Sequence, residues 1–293
     1  MDVVVYYPKE NQEQIDALGA MHAGIPGAGY KPLESYTVRE APDVAAVFGV
    51  YEKTDPYSAF VGRIAEVQHY LGKRTLVLTK GFVKRDEYYA VGWGGKKGWA
   101  DFCSRNSPSD RAKALGVELK PWNLDGEHYL LIGQVPWGAD TQHVQHFEWV
   151  ANTLIRLRLI TDTPVVFRPH PSMEGDATEL YNEMRSQGVI VDTEHKPISE
   201  SLEKAKIVLT FNSNVGVDAL LAGKPVLAFD EGSMVYEASR HHVEYILDPG
   251  LILAGLDRQR WLNDLAYAQW TPAEMESGEA WRHIGVGALE EAA

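Results

Sequence analysis

The chain has 293 residues, 45% of them hydrophobic, and a formal net charge of -13 at pH 7. This length suits two domains of ordinary size, and the composition indicates neither disorder nor a membrane span. Cys103 is the one cysteine, which excludes an internal disulfide and suits a reducing cytoplasm. The acidic total argues against a nucleic-acid partner unless the charge is unevenly distributed.

The first half of the chain alternates strand and helix patterns. The apolar run that starts at Val3 is too short for a signal peptide or a span, so we expect a buried strand and a cytoplasmic protein with no stable membrane association. The next predicted elements are a helix over 11–23, a strand over 44–50, a helix over 60–71 and a strand over 74–79. The glycine-rich segment 24–29 follows a helix rather than a strand, so we interpret it as a turn and not as a phosphate loop.

Loops that follow the strands of a parallel α/β sheet lie at the edge where such sheets bind ligands. The loops that begin at Tyr51 and Lys80 are therefore placed for function, and we assign the glycine-rich segment 91–98 to the same edge. Asp55 and Asp101 are the carboxylates that we predict there as bases for an acceptor hydroxyl. Each is also compatible with an ordinary solvated aspartate.

Residues 73–113 are basic although the whole chain is acidic. This segment holds ten Lys and Arg residues against four Asp and Glu, a local net charge of +6, with aromatic residues among them. Such a surface suits the binding of phosphates and bases, and Trp93 or Phe82 would fill the gap left by a flipped base. We assign acceptor binding to Lys80, Lys84, Arg85, Trp93, Lys96 and Lys97. The alternative is a solvated loop whose aromatic side chains pack inward.

A second block of alternating strands and helices follows a turn-rich segment at 121–126. Its predicted elements are a strand over 129–133, a loop over 134–138, a helix over 141–159, and strands starting at Pro164, Val189, Ile207 and Pro225 with helices between them. This spacing predicts a second parallel sheet with right-handed crossovers. The expected fold is α/β, with two Rossmann-like domains facing across a cleft. The boundaries are an acceptor domain over 1–125 and a donor domain over 126–256.

Two strands of the second block are followed by polar loops that together suit an anion. The strand at 164–167 stops at RPHP (168–171), a turn with two prolines that carries an Arg and a His. The strand at 207–211 is followed by NSN (212–214) and a helix pattern. A helix N-terminus offers unpaired N–H groups and a positive dipole to a phosphate, and the basic turn would add charge. We assign donor binding to Gln134, Arg168, His170, Pro171, Asn212, Ser213, Asn214, Val215, Gly216 and Asp218.

These motifs resemble those of a known enzyme family. RPHP followed by NSNVGVDALLAGKPV is similar to the paired HP and Ser/Thr motifs in the nucleotide-binding half of GT-B glycosyltransferases of the capsular Kdo-transferase type, and to phage-encoded glycosyltransferases related to them. The resemblance extends to LAYAQWTPAEMESGEAWRHI (265–284) and, more loosely, to GFVKRDEYYAVGWGGKKGWADF (81–102). It therefore touches both predicted domains.

The resemblance implies roles for particular residues. In such enzymes the HP and Ser/Thr loops hold the phosphates of a nucleotide-sugar donor, a role that falls here on Arg168, His170 and Ser213. A UDP-sugar is the implied donor, although an asparagine stands on each side of Ser213 where a Ser-Ser or Ser-Thr pair is more usual. The resemblance also implies that residues 257–293 form helices that pack back on the N-terminal domain.

The sequence has neither the zinc-ligand spacing of Cys and His nor an Asp-x-Asp pair, so we expect no metal cofactor. The helix N-terminus and the basic turn would then stabilise the leaving phosphate. Three functions stay open. One is sugar transfer to a 5-hydroxymethylpyrimidine base of phage DNA, such as 5-hydroxymethylcytosine, which the basic segment favours. The others are a capsular or lipopolysaccharide-type sugar transferase and a nucleotide-sugar epimerase or binding protein of the same fold.

Overall fold

The computed structural model describes residues 1–50, 52, 58–173, 177–194 and 196–290, with backbone alone at 249 and 286–290. The chain divides into two compact units. Unit 1 comprises residues 1–115 and the residues from 262 onward, and unit 2 comprises residues 116–261.

Strands and helices alternate along most of the chain. The strands are β1 (Val3–Tyr7), β2 (Gly29–Pro32), β3 (Val44–Phe48), β4 (Arg74–Lys80), β5 (Tyr89–Trp93), β6 (His128–Ile132), β7 (Val165–Arg168), β8 (Ile190–Val191), β9 (Ala205–Thr210), β10 (Val226–Ala228) and β11 (Gln269–Trp270). The α-helices are α1 (Gln12–Ala23), α2 (Ser58–Tyr70), α3 (Asp110–Leu115), α4 (His146–Ile160), α5 (Thr178–Ser186), α6 (Ile198–Lys204), α7 (Val215–Leu221), α8 (Pro249–Leu253), α9 (Arg258–Tyr267), α10 (Pro272–Glu276) and α11 (Glu279–Glu290). In the described part of the chain, no helix is both long and apolar enough to cross a bilayer.

Unit 1 is built on a sheet with the strand order β11-β5-β4-β3-β1-β2. β1 pairs in parallel with β2 and β3, and β3 pairs in parallel with β4. β5 runs antiparallel to β4, and β11 runs antiparallel to β5. The continuous apolar runs of β1, β3 and β4 are buried on both faces, which is typical of strands covered on both sides.

Unit 1 also contains α10, α11 and the part of α9 from Leu262 onward. Thr271 and Glu274 form a capping box at the start of α10. α10 crosses α1 so closely that a Cβ atom on Gly24 would lie 1.8 Å from the Met275 carbonyl oxygen. Glycine is therefore required at the end of α1.

Unit 2 is built on a parallel sheet with the strand order β10-β9-β6-β7-β8. This confirms the predicted second α/β block. The segment 116–125 belongs to this unit, where Lys120 N donates to Leu221 O and Asn123 N to Gly223 O. After β6 the chain moves to one side for β7 and β8, then returns to the other side for β9 and β10. The direction therefore reverses between β6 and β9, which is where open α/β sheets form a ligand crevice at the carboxyl ends of the strands.

Arg111 on α3 fastens three segments of unit 1. Its guanidinium makes a two-pronged contact with the Glu274 carboxylate at 2.7 and 3.2 Å and donates to the carbonyl oxygens of Ala266 and Gln269. The same group lies 3.8 Å from the centre of the Trp270 ring. These contacts join α3 to the ends of α9, β11 and α10.

We expect Arg111→Ala to lower the stability of unit 1 by about 3 kcal/mol, because it leaves the half-buried Glu274 carboxylate unpaired. This change is measured by urea unfolding that is monitored with circular dichroism. Lys113→Ala removes an exposed cation from the same helix and should change the midpoint little. Equal effects of the two substitutions would show that the Arg111 contacts do not stabilise the fold.

Candidate functional site

The carboxyl edge of the unit 2 sheet gathers the loops that follow β6, β7, β9 and β10. Because β9 lies between β6 and β10, the loops after these three strands are neighbours. The polar residues of these loops form one hydrogen-bond network.

Gln134 and Asn212 exchange two hydrogen bonds at the centre of this network. Gln134 Nε2 donates to Asn212 Oδ1 at 2.8 Å, and Asn212 N donates to Gln134 Oε1 at 3.1 Å. Both residues are buried, Asn212 with 1% of its surface exposed. We predicted both as donor contacts, but the structure uses their amides to join the ends of β6 and β9. Their role in the site is therefore to position the loops.

Asn212 extends the network to an acidic residue and a histidine that sequence reasoning missed. Its Nδ2 donates to Asp230 Oδ1 at 3.2 Å, and His143 Nε2 lies 2.9 Å from Asp230 Oδ2. The Asp230 side chain is 7% exposed and that of His143 is 43% exposed. Because a carboxylate oxygen only accepts, His143 donates from Nε2, and the buried Asp230 orients an exposed imidazole. The sequence offered one signal for this pair, the position of Asp230 directly after β10. His143 lies in an irregular loop, where no strand or helix pattern indicates its place.

His146 is the buried histidine of the network. Its Nε2 accepts from Gln134 N at 2.9 Å, so the ring is neutral with its proton on Nδ1. Among the described residues Nδ1 has no hydrogen-bond partner. The ring stacks on Trp149 with the centroids 5.4 Å apart. Burial lowers the pKa of His146 to about 4.

Ser213 leads into α7 as predicted, but the first amides of the helix have internal acceptors. Val215 N donates to Ser213 Oγ at 3.3 Å, and Gly216 N donates to Ser213 O at 3.0 Å. Gly216 is buried, and a Cβ there would lie 2.8 Å from Val235 Cγ2, so this glycine allows close packing rather than donor contact. Ser213, Asn214, Val215 and Asp218 are each partly exposed.

The RPHP turn separates its two basic residues. Arg168 turns away from the loops, donates to Ser201 Oγ and Lys196 O, and lies 3.9 Å from the Asp192 carboxylate. In this arrangement Arg168 fastens α6 to β7 and does not present its charge at the edge, contrary to our expectation. His170 and Pro171 are exposed.

One hydrogen bond fixes the orientation of the His170 ring. Its Nδ1 accepts from Ser172 N at 3.2 Å, so the ring proton is on Nε2, the nitrogen farther from its own backbone. The HP motif therefore offers one N–H donor from an exposed ring.

In unit 1 the structure contradicts the assignment of Trp93 as a stacking residue. β5 lies between β4 and β11 in the sheet, all five of its residues are buried, and Trp93 is 6% exposed. Its Nε1 donates to Ile284 O at 3.4 Å. Phe82 is buried as well, at 3%. Neither ring can fill a gap in DNA without unpacking the core, so the inward-packing alternative holds for these aromatics.

The predicted basic residues differ in their surroundings. Lys80 pairs with Glu13, and Lys96 Nζ lies 3.8 Å from a Glu52 carboxylate oxygen. Lys84 and Arg85 are exposed, and Lys97 is partly exposed with a φ of 51°.

The two predicted bases have different outcomes. Asp101 is partly exposed, and its Oδ1 accepts from Cys103 N at 2.9 Å. It pairs with Trp93, which lies opposite Leu76 near the amino end of β4, because β5 is antiparallel. The prediction that segment 91–98 and Asp101 lie at the carboxyl edge is therefore wrong. Asp55 lies outside the described residues. Within the part of the chain that the structure describes, no cluster of three or more His, Cys, Asp or Glu could hold a metal ion.

The stability of unit 2 should fall as the pH falls from about 6.5 toward 4. The pKa of His146 is about 4 in the folded chain and near 6.5 when unfolded, so in this window the unfolded state binds the extra proton. This one group should cost about 2 kcal/mol at pH 5 relative to pH 7. His146→Gln keeps an acceptor for Gln134 N and should remove that part of the pH dependence, measured by urea unfolding. His69→Gln, at an exposed position of α2, should leave it unchanged, and an unaltered slope in His146→Gln would contradict the assignment.

Comparison with known proteins identifies the fold. No protein-family model matches the chain. No curated protein matches it either. Among solved structures, the beta Kdo 2,7 transferase of KpsC from Thermosulfurimonas dismutans matches with a TM-score of 0.56 and 13% identity, covering 100% of both chains. The beta Kdo 2,4 transferase of the same KpsC also has a TM-score of 0.56, with 14% identity over 91% of this chain and 89% of that one. The chain therefore has the mixed α/β fold of these GT-B-type transferases.

Proposed function

We propose that the protein is a glycosyltransferase that moves a sugar from a nucleotide-sugar donor to a hydroxyl acceptor. The observation that carries this proposal is the set of polar groups at the switch point of the unit 2 sheet, where buried Gln134 and Asn212 hold the Ser213 loop beside the His143–Asp230 pair. The likeness of the fold to two Kdo transferases supports the same reaction class. Because one fold can carry many functions, nucleotide binding by the donor loops has to be measured directly.

The leaving group in this reaction is a nucleotide phosphate, which gains negative charge as the sugar departs. We assign its stabilisation to His143, His170 and the Ser213 hydroxyl. His143 is suited to this role because its hydrogen bond to Asp230 fixes the orientation of its ring. As predicted from the sequence, we propose that no metal takes part and that the imidazole and hydroxyl groups supply the charge stabilisation. Arg168 contributes indirectly, because its contacts with Ser201 and Lys196 hold the RPHP turn in position.

The acceptor hydroxyl needs a base, for which Asp55 stays our prediction. The Asp101 carboxylate is fixed through one oxygen by Cys103 N, but it lies near the amino end of β4 and not at the carboxyl edge.

A 5-hydroxymethylpyrimidine base in DNA is the acceptor that the sequence favours, with exposed Lys84 and Arg85 as its main support. The burial of Trp93 and Phe82 removes the stacking contacts that we expected. A saccharide acceptor is the alternative that the fold likeness favours. An epimerase would convert the nucleotide sugar to its epimer without any acceptor. The appearance of that epimer in a reaction without acceptor would reveal this activity.

We expect His143→Gln and His170→Ala each to weaken nucleotide binding roughly tenfold or more, because each removes a hydrogen bond to a charged phosphate. Isothermal calorimetry with UDP, CMP and the corresponding nucleotide sugars measures the dissociation constants. His242→Ala, an exposed histidine of the same unit, is the control and should bind as the unmodified protein does. Unchanged affinity in both site variants would show that the phosphates bind elsewhere.

If DNA is the acceptor, replacing Lys84, Arg85, Lys96 and Lys97 together by Ala should weaken DNA binding and flatten its salt dependence. Each phosphate contact adds about 0.9 to the slope of log affinity against log salt. Fluorescence anisotropy with a hydroxymethylated duplex at several salt concentrations gives this slope, and nucleotide affinity serves as the folding control. If the unmodified protein does not bind the hydroxymethylated duplex even at low salt, DNA is excluded as the acceptor.

A further inference from the structure

The loop after β6 carries an exposed aromatic ring. Of the eight tryptophans in the chain, Trp99 and Trp137 are the two that are exposed, and Trp137 in this loop has 37% of its surface exposed. Within the described part of the chain, the Trp137 ring neither hydrogen-bonds nor stacks on another ring. An indole is usually packed over most of its surface, so this ring is available to a ligand.

The loop after β6 begins against the RPHP turn. Gly133 N donates to Arg168 O at 2.8 Å. A Cβ atom on Gly133 would lie 2.8 Å from Phe167 Cζ and 3.2 Å from Pro169 Cα. Glycine is therefore required where the chain leaves β6, because the turn that carries His170 packs directly against it.

Three residues after Trp137, the same loop meets the NSN segment. Asp140 O accepts from Asn212 Nδ2 at 2.9 Å, and Asn212 directly precedes Ser213. The strand order agrees with this placement, since β6 lies between β7 and β9. Trp137 therefore belongs to the loop that runs between the two donor motifs, next to the groups that we assign to the phosphate.

The segment that carries Trp137 is closely hydrogen-bonded. Thr141 is 1% exposed, and its Oγ1 donates to Val135 O and lies 3.3 Å from Gly138 O. The N–H groups of Thr141 and Gln142 both donate to Gly138 O, at 3.0 and 2.9 Å. Trp137 is thus part of a small ordered turn, and a site that is ordered before binding loses less conformational entropy on association.

We propose that the Trp137 ring packs against the transferred sugar of the nucleotide-sugar donor. The C–H face of a sugar ring packs on an aromatic face, and the indole N–H is a donor for a sugar hydroxyl. The inference deepens the proposed function by naming a residue that recognises the sugar, and it rests on that function.

The position next to the phosphate site favours a sugar over the nucleobase. In a nucleotide sugar, the groups bonded directly to the phosphates are the ribose and the transferred sugar, whereas the base is one ring farther away. Ribose carries the base on one side, so the transferred sugar offers the wider C–H face to an indole. Because the indole has no charge, it suits a neutral ring better than a phosphate.

Isothermal calorimetry tests the inference with UDP, UDP-glucose, UDP-N-acetylglucosamine, CMP and CMP-N-acetylneuraminate. We expect Trp137→Ala to weaken binding of the nucleotide sugars that bind roughly three- to tenfold, the size of an aromatic packing contact, and to leave the affinity for UDP and CMP unchanged. Trp137→Phe keeps a ring and should retain part of the lost affinity. Trp99→Ala removes the other exposed tryptophan and is the matched control.

The inference is overturned if Trp137→Ala weakens nucleotides and nucleotide sugars equally, because the ring would then contact the nucleotide. It is also overturned if Trp137→Ala and Trp99→Ala bind nucleotide sugars alike. Binding of UDP or CMP without binding of any nucleotide sugar would reject the sugar contact alone. Binding of neither class would reject the proposed function as well.

A second measurement does not depend on the folding of the alanine variant, which circular dichroism checks. In protein labelled with 5-fluorotryptophan, the fluorine resonance of Trp137 is identified by its absence in Trp137→Phe. We expect this resonance to shift when a nucleotide sugar is added and to stay in place when UDP or CMP is added. A resonance that does not respond to a bound nucleotide sugar would overturn the inference.

Discussion

The pair of hydrogen bonds between Gln134 and Asn212 is the interaction on which the unit 2 site depends. Both side chains are buried, so losing either would leave an amide unsatisfied at a cost of about 1–3 kcal/mol. The pair connects the loops of two adjacent strands. Through Asn212 it reaches Asp230 after a third strand, and through Gln134 it reaches His146 at the start of α4. A rigid polar frame therefore presents exposed donors at its surface.

This frame explains how a chain with a net charge of -13 can offer a site for a phosphate. The site uses oriented imidazole and hydroxyl groups rather than a cluster of free cations, because Arg168 is committed to a structural contact. In unit 1 the charge pattern is similarly local, since Lys80 and Lys96 have acidic partners. In both units, the groups that are placed to bind a ligand are therefore set by the direction of single side chains. The net charge of the chain does not predict them.

The sequence was sufficient to predict the parallel sheet of unit 2, the parallel strands of unit 1 and the two loops of the donor motif, because strand and helix periods are local properties of the chain. Side-chain direction was not predictable in the same way. Arg168 turns toward α6 and Trp93 enters the core of unit 1, and each outcome depends on a partner distant in sequence. An antiparallel β5 has the same apolar pattern as a parallel strand. His143 could not be found because nothing in its loop signals Asp230, 87 residues away.

Hydrogen-exchange mass spectrometry with a panel of nucleotide sugars would show whether the donor binds at the carboxyl edge of the unit 2 sheet, because it locates bound donor without any substitution. We expect slower exchange in peptides that cover the loops after β6, β7, β9 and β10, and little change at the amino ends of the same strands. These loops contain residues 133–145, 169–173, 211–214 and 229–235. Donor binding at these loops would be contradicted if protection from exchange were confined to other segments. It would also be contradicted if a nucleotide sugar that binds by calorimetry protected no segment.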